Sequence, residues 1–180
     1  AEAGGCSVLN LFSYTCGLGV AAAAGGATEV WNVDFAASAL EVGARNATLN
    51  GLAGERFRLV QANALPAMRQ LAGLPPGGRR NKRPRFERFE ARQFDLVLLD
   101  PPRYARTPFG AVDVIRDYPS LLKPALLATA PGGHLLVTNH VASVAWEAWV
   151  DVLERCAAKA GRPLVALERI VPEADVPSPD

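Results

Sequence analysis

The sequence predicts an α/β protein, a doubly wound and mostly parallel sheet with helices on both faces. Three observations carry that prediction. Short apolar runs of strand length alternate with helical segments along the whole chain, the signature of a parallel sheet built from crossover units. One run, "FDLVLLD" (Phe94 to Asp100), is continuously apolar up to a terminal acid, as expected of a central strand covered on both faces. Polar or conformationally special residues gather where the apolar runs stop: Asn10 to Tyr14, Asp34, Gln61 to Asn63, Asp100 to Tyr104 and Thr138 to His140. In open α/β sheets ligands bind outside the carboxyl ends of the strands, so these five positions are the places to look for function.

The elements follow in order. Cys6 to Phe12 reads as a short buried strand, and Gly17 to Ala24 as the helix after a glycine turn. "TEVWNVD" (Thr28 to Asp34) is a second strand ending in an acid. "AASALEVGARNATLNGL" is an amphipathic helix with Ala36, Leu40 and Ala47 near one face and a stop at Asn50-Gly51. "RFRLVQAN" is a third strand. "ALPAMRQLAG" is a short helix ended by Gly73 and the Pro75-Pro76 pair, which cannot continue it. After the Phe94 strand, "DPPRYARTPFG" reads as a loop. Asp113 to Ala130 reads as a helix that Pro119 and Pro124 should bend or confine. "GGHLLVTN" is a fifth strand, "SVAWEAWVDVLERCAAKAG" a long helix, and "PLVALERIV" a sixth strand.

Composition bounds the class. The 180 residues suffice for one domain with a real core, and 49% hydrophobic with 21% charged residues is ordinary for a globular protein. Cys6, Cys16 and Cys156 are odd in number and not in C-x-x-C spacing. That argues against a disulfide framework or a zinc site and fits a reducing cytoplasm. No apolar run is long enough to span a membrane. The net charge of +1 hides an asymmetry. From Pro75 to Gln93 the chain holds seven basic residues (Arg79, Arg80, Lys82, Arg83, Arg85, Arg88, Arg92) against Glu87 and Glu90. The stretch is rich in Pro, Gly and Arg and reads as an insertion in a single domain, either a polyanion contact or a solvated loop.

The strand ends suggest a ligand. "GLGVAA" from Gly17 fits G-x-G-x-x-A, a loose dinucleotide fingerprint. Asp34 can accept the hydroxyl protons of a ribose. "LDPPRYAR" sets Asp100, Pro101, Pro102 and Tyr104 at the end of the fourth strand. Consecutive prolines fix the backbone there, and such an edge can hold a flat amine or heterocycle while Tyr104 stacks on it. A nicotinamide-dependent oxidoreductase is compatible with the glycine turn and Asp34, but a hydride-transfer site has no evident use for D-P-P-x-Tyr.

In order along the chain stand F-S-Y-T-x-G, the strand-end Asp34, R-N-x-x-L-N-G, "QANA", D-P-P-x-Tyr and "GGHLLVTNH". This combination resembles class I S-adenosylmethionine-dependent methyltransferases with their Rossmann-like fold. More narrowly it resembles the bacterial large-subunit ribosomal RNA methyltransferases that modify cytosine C5 or guanine N7. The resemblance implies S-adenosyl-L-methionine as cofactor and RNA, above all ribosomal RNA, as partner. It implies that Phe12, Ser13, Tyr14, Thr15, Gly17 and Gly19 surround the cofactor's methionine part, that Asp34 holds its ribose, and that Asn63 lies by the adenine. Asp100, Pro101, Pro102, Tyr104 and Asn139 would line the methyl-transfer site. It also implies that the chain is part of a longer protein, with an RNA-binding region upstream and a final antiparallel strand beyond residue 180.

The chain departs from its cytosine-modifying relatives. They carry a nucleophilic cysteine just after the fifth strand, where this sequence reads "VTNHVAS" with Asn139 and His140. A ring carbon needs that covalent activation; a base nitrogen does not, because positioning and in-line approach can supply most of the rate. Direct transfer to a base nitrogen is therefore the expected reaction. The missing cysteine also leaves open a non-catalytic RNA-binding module built on the same fold. His140 reads as a loop histidine with general base as the alternative, His134 as structural, and Trp146 and Trp149 as packing residues.

Overall fold

The computed structural model describes residues 5–52, 54–77, 87–107, 110–141 and 143–170, without the side chains of 104–117. Five strands form one all-parallel sheet: β1 (Ser7–Leu11), β2 (Glu29–Asp34), β3 (Phe57–Gln61), β4 (Phe94–Leu99) and, in chain order after a small hairpin, β7 (Thr129–Val137). Their order is β3-β2-β1-β4-β7. The chain winds outward from β1 to β3, then returns to the other side of β1 to lay down β4. The sequence order therefore reverses between β1 and β4, and a crevice opens at the carboxyl end of such a switch point.

The helices are α1 (Gly17–Ala24), α2 (Ala37–Leu49), α3 (Ala64–Leu71), α4 (Val114–Ala128) and α5 (Trp146–Lys159). Successive strand residues point to opposite faces, and the core divides accordingly. Leu9, Leu11, Trp31, Val33, Val97 and Leu99 pack with Met68 and Leu71 of α3 and with Leu121, Leu122 and Leu126 of α4. Val8, Val30 and Leu98 pack on the other face with Cys16, Leu40 and Ala47. Both faces of the sheet are thus covered, as the uninterrupted apolar character of β4 requires.

Three expectations are corrected. The segment after Asp100 is not a plain loop: β5 (Tyr104–Thr107) and β6 (Gly110–Asp113) pair antiparallel as a hairpin. Pro119 and Pro124 do not break α4, which runs unbroken over 15 residues. Each proline removes one backbone donor, and burial of Tyr118, Leu121, Leu122 and Ala125 on the sheet offsets the loss. The expected sixth strand is absent from the described residues: 163–170 are irregular, with Val165 and Ile170 exposed. A strand needs a neighbour to complete its hydrogen bonds, and β7 pairs only with β4 among the described residues.

The basic insertion starts and ends at the amino edge of the sheet, between α3 and β4. Arg79, Arg80, Lys82, Arg83 and Arg85 lie outside the described residues. Its last part belongs to the body. Gln70 donates to the Glu87 carbonyl at 3.1 Å and accepts from the Phe89 amide at 3.3 Å. Phe89 packs against Trp31 at 6.3 Å between ring centroids. Arg92 bonds Glu29 and lies over the Trp31 and Phe94 rings at 5.3 and 4.8 Å. No described helix is long and apolar enough to cross a membrane.

Candidate cofactor and substrate site

The pairing register brings the strand-end residues level. Leu11 pairs with Val33 and Leu99, and Leu99 with Val137, so Phe12, Asp100 and Thr138 each stand one residue beyond the ladder, level with Asp34, the last residue of β2 and paired with Gln61. At about 4.8 Å between strands, five strands make an edge roughly 19 Å long, with Asn63 at one end and Thr138 to His140 at the other.

The turn after β1 is held in an unusual backbone. Phe12, Tyr14 and Cys16 have φ of 59°, 48° and 64°, a left-handed region that costs non-glycine residues about 1–3 kcal/mol each and persists only where the surroundings over-determine it. Here they do. The Ser13 amide donates to the Val33 carbonyl at 3.1 Å, and the Cys16 amide to the Ser13 carbonyl at 2.7 Å. Asn46 of α2 donates to the Thr15 carbonyl at 2.9 Å. The buried carboxylate of Asp34 completes the frame: Oδ2 accepts from the Tyr14 amide at 2.8 Å and Oδ1 from the Ala36 amide at 2.9 Å. Asp34 therefore ties the end of β2 to the turn after β1, and each oxygen keeps a second lone pair for a hydroxyl donor.

The two glycines of the turn differ. Gly17 faces open space, with nothing within 4 Å of where a Cβ would stand. Gly19 is buried, and a Cβ there would sit 1.9 Å from Oδ1 of Asn32. Its smallness lets α1 lie against the sheet, where Asn10 donates to Asn32 at 2.9 Å in the core. Gly43 does the same for α2: a Cβ would fall 2.4 Å from the Cys16 sulfur. Burial pushes the Cys16 thiol up, away from the reactive thiolate.

A cavity of about 330 Å³ opens on this edge, lined by Asn10, Phe12, Ser13, Tyr14, Thr15, Gly17, Leu18 and Asp100. A second of about 340 Å³ lies at the opposite edge among Leu71, Ala72, Ala91, Arg92, Gln93 and Leu127. Size does not separate them; donors and acceptors do. α1 starts at the carboxyl-edge cavity, which Gly17 and Leu18 line, and its N-cap residue Cys16 makes no side-chain cap bond; the unpaired amides of a first helical turn suit a carboxylate. Further along the edge, Asn63 caps α3 by accepting from the Leu65 amide at 3.1 Å. Among the described residues its Nδ2 is buried without a partner, a donor awaiting an acceptor.

Past the cavity, Oδ1 of Asp100 accepts from the Thr138 hydroxyl and lies 2.7 Å from Nε2 of His140. Asn139 turns back instead, accepting from the Val141 amide at 3.0 Å. Trp149 packs edge-on against Tyr118 and Trp146, at 5.9 and 5.8 Å. Among the described residues no three His, Cys, Asp or Glu side chains gather as a metal site.

A model of the S-adenosylmethionine-dependent methyltransferase family matches residues 1–180. The chain belongs to this family. It is 33% identical over 170 residues to ribosomal RNA large subunit methyltransferase I of Tolumonas auensis, an overlap of 94% of this chain and 39% of that protein. To ribosomal RNA large subunit methyltransferase K/L of Allochromatium vinosum it is 33% identical over 135 residues, 74% of this chain and 16% of that one. The chain thus spans well under half the length of these relatives. Among solved structures, the methyltransferase SMU.776 complexed with SAH superposes with a TM-score of 0.71 at 26% identity, over 87% of this chain and 37% of that one. The SAM-dependent methyltransferase of Agrobacterium tumefaciens shares the fold, with a TM-score of 0.69 at 23% identity over 85% and 44%. The class I Rossmann-like fold and its S-adenosylmethionine cofactor, both implied by the strand-end motifs, are those of the family.

Of the residues singled out from sequence, Phe12, Ser13, Tyr14, Thr15, Gly17 and Asp100 meet around one cavity. Asp34 stands directly behind it, bonded to Tyr14. Gly19 packs beneath it rather than lining it. Pro101 is buried, Pro102 is exposed, and the Tyr104 ring lies outside the described side chains. Asn10, Leu18, Asn32, Gly43 and Thr138 had no assigned role. Asn10 and Asn32 had a readable signal, since an asparagine inside each of two apolar strands suggests a buried amide pair. Phe35, 56% exposed directly after Asp34, had none.

Proposed function

We propose that the chain is the catalytic domain of an RNA methyltransferase that transfers the methyl group of S-adenosylmethionine directly to a base nitrogen, ribosomal RNA being the substrate. The observation that carries this is the carboxyl-edge cavity at the switch point, with amide donors on one side and Asp100 on the other. The residues present fit the cofactor. The first amides of α1 would hold its carboxylate, with Phe12 to Thr15 around the methionine part. Asp34 would accept from its ribose. Asn63 would donate Nδ2 to a ring nitrogen of the adenine, whose face Phe35 can cover.

Bound there, the cofactor supplies an electrophilic methyl group on a sulfonium. The chain's own residues do the rest. The braced turn and the Pro101-Pro102 edge are rigid, so little reorganisation is needed to bring a target base in line. The Cys16 thiol is buried and Cys156 lies in the core, which supports direct displacement over covalent activation. The names of the two relatives support RNA as substrate, as does the basic segment.

The test is mass mapping of ribosomal RNA from cells with and without the full-length protein. One base should lose a methyl group when the protein is absent and regain it on re-expression. Identical maps, with no other cellular RNA changed, would leave a binding module in place of an enzyme.

A further inference from the structure

Tyr14 combines two features that packing does not explain. Its ring is 70% exposed although the residue lines the carboxyl-edge cavity. Its backbone is left-handed, with φ of 48°, a conformation that a bulky side chain disfavours. The strain is held by the surroundings: the Tyr14 amide donates to Asp34 at 2.8 Å, and the Ser13 amide beside it to the Val33 carbonyl at 3.1 Å. Strained positions held in this way cluster at ligand clamps. The bracing uses only the main chain of Tyr14. Among the described residues its hydroxyl makes no hydrogen bond and its ring stacks on no other ring. Leu18, 41% exposed, lines the same cavity and adds to an apolar rim.

We propose that the Tyr14 ring is a stacking platform for an unpaired base of the RNA at the mouth of the cavity, while its main chain belongs to the cofactor turn. The inference rests on the methyltransferase reading above. The cofactor's one flat group is its adenine, which that reading sets with Asn63 and Phe35. Its methionine part, at the turn after β1, is a flexible zwitterion with no flat face for a phenol ring. A nucleobase has such a face. Bringing a base to the methyl donor also takes it out of its own stack, and an aromatic ring at the mouth returns part of the lost stacking. A ring carried on a braced main chain loses little freedom in doing so. Stacking reads no base edge, so this contact adds affinity without choosing a sequence. The ring is exposed in the free protein because its partner is the substrate.

The experiment uses the full-length protein saturated with S-adenosylhomocysteine, and RNA from cells of the source organism lacking the gene, at one fixed salt concentration. Dissociation constants for RNA are measured for wild type, Tyr14→Phe, Tyr14→Trp, Tyr14→Leu and Tyr14→Gly. Leucine keeps an apolar side chain and removes the flat face. Glycine removes the ring on a backbone that suits it, so one ringless variant folds whatever the leucine does. Tyr14→Phe and Tyr14→Trp should bind RNA as wild type does, and RNA should quench the added indole. Tyr14→Leu and Tyr14→Gly should bind RNA about tenfold more weakly or worse. Affinity for S-adenosylhomocysteine and melting temperature should be the same in Tyr14→Leu as in wild type. Wild-type RNA affinity in Tyr14→Leu and Tyr14→Gly overturns the stacking role. Weaker binding of S-adenosylhomocysteine with unchanged RNA binding also overturns it and gives the ring to the cofactor. If labelled S-adenosylmethionine delivers no methyl to any RNA while Tyr14→Leu still weakens RNA binding, the methyltransferase reading falls and the stacking contact stands.

Discussion

Asp34→Asn separates what the carboxylate does for the turn from what it does for a ligand. The native carboxylate accepts one backbone amide on each oxygen, Tyr14 at 2.8 Å and Ala36 at 2.9 Å. An asparagine keeps one acceptor and turns an NH₂ toward the other amide, so one bond is lost and two donors face each other. Hydrogen bonds to charged groups contribute about 1.5–3 kcal/mol. Asp34 is only 8% exposed, so water replaces the lost bond poorly. The expected destabilisation is about 1.5–3 kcal/mol. At about 2–4 °C per kcal/mol for a chain of this size, the midpoint should fall by roughly 3–12 °C. The assay is urea and thermal unfolding without ligand, followed by calorimetric titration of S-adenosylhomocysteine into the folded variant. Affinity should fall by a similar energy, because the ribose loses an acceptor as the turn loosens. An unchanged midpoint would refute the bracing role, and a lowered midpoint with unchanged affinity would remove Asp34 from the ribose site.

Other perturbations probe the remaining supports. Gly43→Ala places a methyl 2.4 Å from the Cys16 sulfur and should cost about 1–3 kcal/mol by overpacking; adding Cys16→Ala should restore most of it in a double-mutant cycle of urea midpoints. The Arg92 hydrogen bond, ahead of the opposing effect of burial, holds the Glu29 carboxyl below its usual 4.5. Its contribution is therefore complete above that value and is lost as pH falls through the lowered folded value. The stability gap between wild type and Glu29→Gln should close on acidification, which unfolding curves at a series of pH values will show. Asp95, lowered through the Ser7 amide and hydroxyl, adds to the same acid-side slope and serves as an internal control. Deleting 78–86 should leave the melting temperature near wild type, whereas removing Gly77 to Arg92 should lower it, because Phe89 and Arg92 pack on Trp31.

Five of the six strands read from the sequence exist, because period, glycine stops and strand-end acids are local signals. The sixth is absent among the described residues, because "PLVALERIV" has strand composition but 163–170 have no ladder partner there, and pairing is not a local property. The hairpin Tyr104–Asp113 escaped for the converse reason: the prolines and glycine of "DPPRYARTPFG" read as loop, while its strands are defined by each other. At the site, residue types were legible and burial was not. Gly17 and Gly19 look alike in "GLG", yet one faces a cavity and the other an asparagine amide. Asp34 was legible as a ligand acceptor, but its hold on Tyr14 and Ala36 depends on the register of β1 against β2. His140 read as a loop residue because nothing local joins it to Asp100, 40 positions earlier.

The central claim is that the cofactor sits at the carboxyl edge, between the turn after β1 and Asp100. Two cavities of nearly equal volume, about 330 and 340 Å³, stand at opposite ends of the sheet, so the direct measurement is a backbone amide chemical-shift titration with S-adenosylhomocysteine. The account predicts saturable shifts at Phe12 to Leu18, Phe35, Asn63 to Leu65 and Asp100, with Leu71, Ala72 and Ala91 to Gln93 unmoved. Shifts confined to Leu71, Ala72, Ala91 to Gln93 and Leu127 would contradict it.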